Sequence, residues 1–448
     1  MFKKSTTIQK EPDVQANAIG KPAGKDELNP RATMPAGNST NSLDDGVFGW
    51  YRYIQDFTGD FALTWLKSLA SQSQLVWEPF AGSGTTLVAA KMLGLPSIGY
   101  DLNPLMVDVA KVKIDWNIDT SVVVREANRI FNDVMASGLH EPIEAVKGKW
   151  DSYGDQLLLD GVLHYPADKK LEKWISPQVL LRFQNVLLEI EKGEPSVRDF
   201  LRVAVASLVV PASNMTFRPN ICYEARPTLD FPVARFFLDR TTQMAEDFDA
   251  LPRGFKAPSS VFVGDARTDG PSGADVIFTS PPYPNDMEYI HQTRLELALL
   301  EYAHSQSDLT KLKKKMISSS VKLVYRENEW QKKSGIEVDS VNAVCGQIAE
   351  TLIGKNWGWN AADMTAQFFG GMRSVLQNWN NRLLPNGVAA VVIGDSAFNG
   401  VKVPTDLLLA DVAKNHGFLC EDIEVFRTRW NTKHDIELRE SVVILRKI

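Results

Sequence analysis

The chain has 448 residues, long enough for one large domain with an insertion or for two domains. A composition of 44% hydrophobic and 23% charged residues is that of an ordinary globular protein, and a formal charge of -6 excludes a protein that coats nucleic acid through its overall charge. Three scattered cysteines without a CxxC pair, six histidines without an HExxH-like spacing, and no apolar run approaching the ~18 residues of a membrane span predict a cytoplasmic protein with no metal and no membrane segment. The start, Met1-Phe2-Lys3-Lys4, continues into polar sequence and does not read as a signal peptide.

Residues 1–45 are rich in Pro, Gly, Asn, Ser and charge and read as a disordered tail. Order is expected from Val47-Phe48-Gly49-Trp50 onward, and residues 46–115 form the first part of an α/β domain. In it an amphipathic stretch, Ala62 to Ala70, reads as a helix. Leu75 to Glu78 reads as a short strand, Pro79 to Thr85 as a glycine-rich turn, Leu87 to Leu93 as a helix, and Pro96 to Asp101 as a second strand ending on an acid. Residues 116–259 change to helical segments broken by turn signals and are expected to be an insertion. The sheet resumes in residues 260–448: Val261 to Arg267 and Asp275 to Ser280 as strands, Glu288 to Ala303 as one helix, and Phe368 to Leu384 as a helix ended by Pro385-Asn386-Gly387. Val388 to Ile393 then reads as a buried strand, and Phe418 to Thr428 with Glu440 to Arg446 as a closing antiparallel pair.

The chemistry concentrates in two places. Phe80-Ala81-Gly82-Ser83-Gly84-Thr85 lacks the lysine that a phosphate loop needs, but its glycines let a ligand approach the backbone closely. Asp101, at the end of the next strand, is placed to accept both hydroxyls of a ribose, and Asp265 to accept an adenine amine. Thr279-Ser280-Pro281-Pro282-Tyr283 ends a buried strand on two residues that cannot donate a backbone N–H, leaving a rigid loop with bare carbonyls, a hydroxyl and one ring. Such a loop suits a flat base whose amine is held by acceptors.

Taken together, FAGSGT at 80–85 and TSPPY at 279–283 resemble the motif pair of amino-type DNA methyltransferases. Phe57-Thr58-Gly59 resembles the family's upstream cofactor motif, Asp286 to Leu300 the helix after its catalytic loop, and Val391 to Ser396 and Arg439 to Leu445 its late strands. The resemblance covers about 47–115 and 260–448 and implies a Rossmann-like S-adenosylmethionine-dependent methyltransferase fold, with about seven mostly parallel strands and a helical insertion that is a candidate target-recognition region. It implies cofactor contacts from Phe57, Thr58, Gly59, Phe80, Ala81, Gly82, Gly84, Thr85 and Asp101. Candidate contacts also take in Asn103 and Pro104, which follow Asp101, and Ala266, which follows Asp265. Glu78 stands where the family usually has Asp, keeping the charge near the methionine end of the cofactor.

The Ser280 hydroxyl and the Pro281 carbonyl are the expected acceptors for the target amine, with Pro282 keeping the loop rigid and Tyr283 stacking on a flipped base. In the family, serine at the first loop position goes more with cytosine, so N(4)-cytosine is the expected product and N(6)-adenine the alternative. An RNA or tRNA base methyltransferase and a catalytically silent DNA-binding subunit are the remaining readings. Double-stranded DNA is the expected partner, in a restriction–modification or defence setting with a cognate nuclease. Lys311, Lys313, Lys314 and Lys315, and Arg218 and Arg226 among aromatics, are the candidate phosphate contacts, with a solvated helix face and a structural loop as the respective alternatives.

Overall fold

The computed structural model describes residues 46–53, 57–138, 174–215, 230–252, 257–324, 338–353 and 361–448. Alternation along the central strands explains why this chain makes a two-faced sheet. In β5 (Leu383–Gly394) Ala389, Val391 and Ile393 pack into one core while Ala390 and Val392 pack into the other. In β9 (Ile436–Lys447) Val443 and Leu445 oppose Val442 and Ile444 in the same way. Side chains of period two therefore bury both faces, as a covered parallel sheet requires.

The other strands of that sheet are β1 (Val76–Glu78), β2 (Ser97–Asp101), β3 (Ser259–Val263), β4 (Ala274–Thr279) and β8 (Phe418–Asn431). Their order is β3-β2-β1-β4-β5-β9-β8, with β9 antiparallel to both neighbours and the first five strands parallel. The order reverses between β1 and β4, and in open α/β sheets that switch point is where ligands bind, at the carboxyl ends of the strands. This is a Rossmann-like methyltransferase sheet, with the antiparallel strand inserted beside the last. A small hairpin, β6 (Ser396–Phe398) with β7 (Val401–Val403), leaves the carboxyl end of β5.

Helices α1 (Gly59–Leu69), α2 (Thr85–Met92) and α3 (Pro104–Ile114) cover one face. Caps set their starts: Thr58 accepts the Phe61 N–H, and Asn103 accepts the Leu105 N–H ahead of Pro104. Between β2 and β3 lie α4 (Thr120–Ala136), α5 (Pro177–Lys192), α6 (Arg198–Ala212) and α7 (Val233–Asp249). Their apolar faces share a single core with α1–α3. The turn Gly46–Trp50 is locked into them: buried Trp50 lies against Phe200 and Phe248, its indole donates to Asp247, and Arg240 donates to the Gly49 and Trp50 carbonyls.

Two local expectations change. The single helix expected over Glu288 to Ala303 is two short ones, α8 (Tyr289–Gln292) and α9 (Arg294–Leu299), broken at Thr293, whose hydroxyl accepts from Asn103 Nδ2 at 2.9 Å. The helix before Pro385 stops earlier than expected: α12 (Ala361–Arg382) ends three residues short of the proline, and Arg382 turns to the carbonyls of Thr268, Gly270 and Pro271. On this second face α12 packs beside α11 (Asp339–Glu350) and α13 (Thr405–Lys414). Helix α10 (Gln306–Lys315) carries the lysine run. No helix among the described residues is long and apolar enough to cross a membrane. The expected tail, residues 1–45, lies outside the described residues.

Candidate functional site

The turn after β1 takes its shape from two glycines in the left-handed region, Gly82 (φ +47°) and Gly84 (φ +89°). A Cβ on Gly84 would fall 2.8 Å from the Ala110 Cβ, so glycine is also what lets α3 lie against this turn. Asp101 fastens the turn to the next helix: its carboxylate accepts the Gly82 N–H and the Asn103 N–H, both at 2.8 Å. Burial raises the Asp101 pKa to about 6 against the opposing pull of those two amides. Two of its acceptor sites are thereby used, and a carboxylate has about two more for a diol.

Ser280 and Pro281 open onto the same cleft as Phe57, Phe80, Gly82 and Thr85. The cofactor-type turn and the proline loop, about 200 residues apart in sequence, thus meet at the switch point of the sheet. Buried Glu78 fastens them together. Its carboxylate accepts from the Phe80 N–H (3.0 Å), from Thr86 Oγ1 (2.7 Å) and from the Thr279 hydroxyl beside Ser280. Glu78 also lines the cleft, so a contact to a methionine end would share oxygens that already join the turn, α2 and β4.

Tyr283 also departs from expectation. It is 8% exposed, and its ring lies against Gly394 at the end of β5, where an added Cβ would come within 3.0 Å of it. The ring therefore packs on the sheet instead of standing in the cleft to stack on a base. Its hydroxyl accepts from Ser280 Oγ at 3.5 Å, a long bond, and its N–H donates to the Tyr289 hydroxyl at 3.2 Å. Burial first, and then the Glu440 carboxylate, push the Tyr283 phenol well above its usual range. The rings that line the cleft belong to Tyr53, Phe57, Phe80 and Tyr289, with the Tyr53 and Tyr289 centroids 6.4 Å apart. The loop beyond is braced by serines: Ser319 donates to the Met287 carbonyl and Ser320 to Asp286, whose φ is +64°.

Among the other expected residues, Asn103 and Pro104 serve as cap and first turn of α3. Asn103, Asp265, Ala266 and Pro282 border the second half of the cleft, with Ile290, Met316 and Ile317. Asp265, the expected acceptor of an adenine amine, accepts from the guanidinium and the N–H of Arg267, which follows two residues later on the same tight turn, and has about one acceptor site left. In the lysine run, Lys313 is largely buried and paired with Glu288, and Lys311 is paired with Asp308 at 3.0 Å. Lys313 is thus turned inward and does not face solvent as a phosphate contact would. Arg218 and Arg226 lie outside the described residues. Sequence reasoning missed Tyr53, Tyr289, the serine brace, and Lys113, a fully buried lysine that donates to Ser83 of the glycine turn. A lysine on an apolar helix face was the one available signal for Lys113.

A DNA methylase family model (N6_N4_Mtase) matches residues 53–112, which span the glycine turn and Asp101. The Type II methyltransferase M.AvaI of Nostoc sp. is 22% identical over 417 residues, 85% of this chain and 81% of that protein. M.BsoBI, a Type II methyltransferase of Geobacillus stearothermophilus, is 35% identical over 63 residues, 14% of this chain and 12% of that protein. The chain carries a DNA methylase segment of the amino type at residues 53–112. The rRNA methyltransferase aviRa from Streptomyces viridochromogenes aligns over 90% of this chain and 92% of its own at 10% identity, with a TM-score of 0.30. So low a score carries no argument, and the fold assignment rests on the strand order.

The methylase match implies S-adenosylmethionine as methyl donor. The residues present suit it: an acidic acceptor at Asp101 for two hydroxyls, apolar walls from Ile290, Met316 and Ile317 for a purine, and Gly82 for close backbone approach. Among the described residues no group of three or more His, Cys, Asp or Glu is placed to hold a metal.

Proposed function

We propose that this methyltransferase modifies the exocyclic amine of a base flipped out of duplex DNA, and that the base is cytosine, methylated at N4. The observation that carries the reading is the shared cleft: Ser280 and Pro281 border the same space as Gly82 and Thr85, so a base amine and a cofactor methyl group can be brought together there. S-adenosylmethionine supplies an electrophilic methyl group. The chain supplies acceptors. An amine conjugated to its ring is a poor nucleophile, and acceptors aimed at its hydrogens favour the pyramidal form whose lone pair can attack. Ser280 Oγ and the Pro281 carbonyl take that role, with Tyr53 and Tyr289 as the aromatic walls for the base. No covalent nucleophile is needed. Serine in the first loop position supports cytosine.

Nucleoside mass spectrometry on DNA from a methylation-free host expressing the chain tests this reading. N(4)-methylcytosine is the expected new nucleoside. N(6)-methyladenine would overturn the base assignment while keeping the acceptor mechanism. No new nucleoside, from a folded cofactor-binding protein, would overturn the DNA substrate.

A further inference from the structure

Strands β8 and β9 do not stop where the sheet stops. The pairing of β9 with β5 ends at Gly394 opposite Glu440, whereas β8 and β9 stay paired to Asn431 opposite Ile436. Four residue pairs therefore run on alone as a two-stranded ribbon, which at ~3.3 Å per residue projects on the order of 13 Å beyond the sheet. The ribbon leaves from the carboxyl end, beside the proline loop: the space above Gly394 is bounded by the Tyr283 ring on one side and Glu440 Cγ on the other. The Arg429 guanidinium is near enough to draw the Tyr283 phenol downward against burial.

The base of the ribbon is rigid. Two buried carboxylates, Asp395 and Asp406, hold Arg439 and Ser441 on β9, and Lys402 of the β6–β7 hairpin reaches both Asp395 (2.8 Å) and the Glu437 carbonyl (2.9 Å). The ribbon carries cations: residues 427–439 hold Arg427, Arg429, Lys433 and Arg439 against Asp435 and Glu437, with Glu440 next in the chain. Arg439 is turned inward to the two acids and Arg427 stands 3.7 Å from Glu440. Arg429 and Lys433 are exposed and make no ion pair among the described residues. Trp430 between them is 59% exposed.

We propose that this ribbon is a DNA clamp, in which Arg429 and Lys433 bind backbone phosphates of the duplex flanking the flipped base. The inference rests on the DNA reading above and deepens it. A two-stranded ribbon is narrow enough to enter a major groove, and phosphate contacts of this kind fix register without reading sequence. The alternative is that charges on an edge strand only discourage pairing between molecules.

The test compares the wild type with the double variant Arg429→Gln, Lys433→Gln in binding a short labelled duplex of mixed sequence across a salt series, with cofactor affinity as the control for folding. Losing two phosphate contacts should weaken binding roughly tenfold or more at low salt and make the slope of log K against log salt less negative by about 1.8. An unchanged slope and affinity in the variant would overturn the clamp while leaving the DNA reading intact. A wild type that binds cofactor but no duplex would instead overturn the DNA reading, and the clamp with it.

Discussion

Replacing Ser280 with alanine is expected to slow methyl transfer by ~10²–10³-fold while leaving cofactor affinity within about twofold, the loss seen when one acceptor or donor aimed at developing charge is removed. The geometry explains the separation. Ser280 directly follows β4 and is the proposed acceptor for the base amine, while Asp101, the proposed ribose acceptor, ends β2. At 3.5 Å the Ser280 hydroxyl is only loosely engaged with Tyr283 Oη, and its lone pairs remain for one hydrogen of an amine, the Pro281 carbonyl taking the other. Single-turnover transfer and calorimetric cofactor binding measure the two quantities separately. Near-normal turnover would show that another acceptor does the work. In the same assay Tyr283→Phe distinguishes the two roles considered for that ring: it keeps a stacking surface but loses the partner of Ser280, so a slowed rate supports orientation of the serine and an unchanged one does not.

Asp101→Ala is expected to weaken cofactor binding by ~10²-fold or more, since it removes a charged acceptor from a ribose and leaves the Gly82 and Asn103 amides without their partner. The wild-type pH dependence carries the same information with a definite sign. The Asp101 carboxyl is raised from 3.8 to about 6 by burial, so the folded chain holds this proton more tightly than the unfolded one. Its contribution to stability is therefore greatest at low pH and declines as pH rises through that window. Cofactor affinity runs the opposite way, because the ionised form is the ribose acceptor: it should rise as pH passes through about 6 and then level off. Calorimetry across that range measures it. A flat profile, or an Asp101→Ala variant of normal affinity, would remove the ribose assignment.

The local pattern of the site is legible in the sequence. Strand, glycine turn, helix, strand and terminal acid are written within residues 75–101, because glycine, proline and side-chain periodicity act over a few positions. The same is true of β4 running into two prolines, and of the closing antiparallel pair. Partners are not legible. That Glu78 also accepts from Thr279, 201 residues away, shows only once β4 is brought against the turn. Lys313 reads as part of a basic face until Glu288 packs beside it.

What the sequence by itself determined was the order of the elements and the identity of the two loops that meet in the cleft. The tertiary structure decided which way each side chain in those loops faces: Tyr283 onto Gly394, Tyr53 and Tyr289 into the cleft, and Arg429 out on a ribbon held at its base by Asp395 and Asp406. The physical reason is range. Backbone preferences are set by neighbours in sequence, whereas burial, hydrogen-bond satisfaction and ion pairing are set by whatever the fold places alongside.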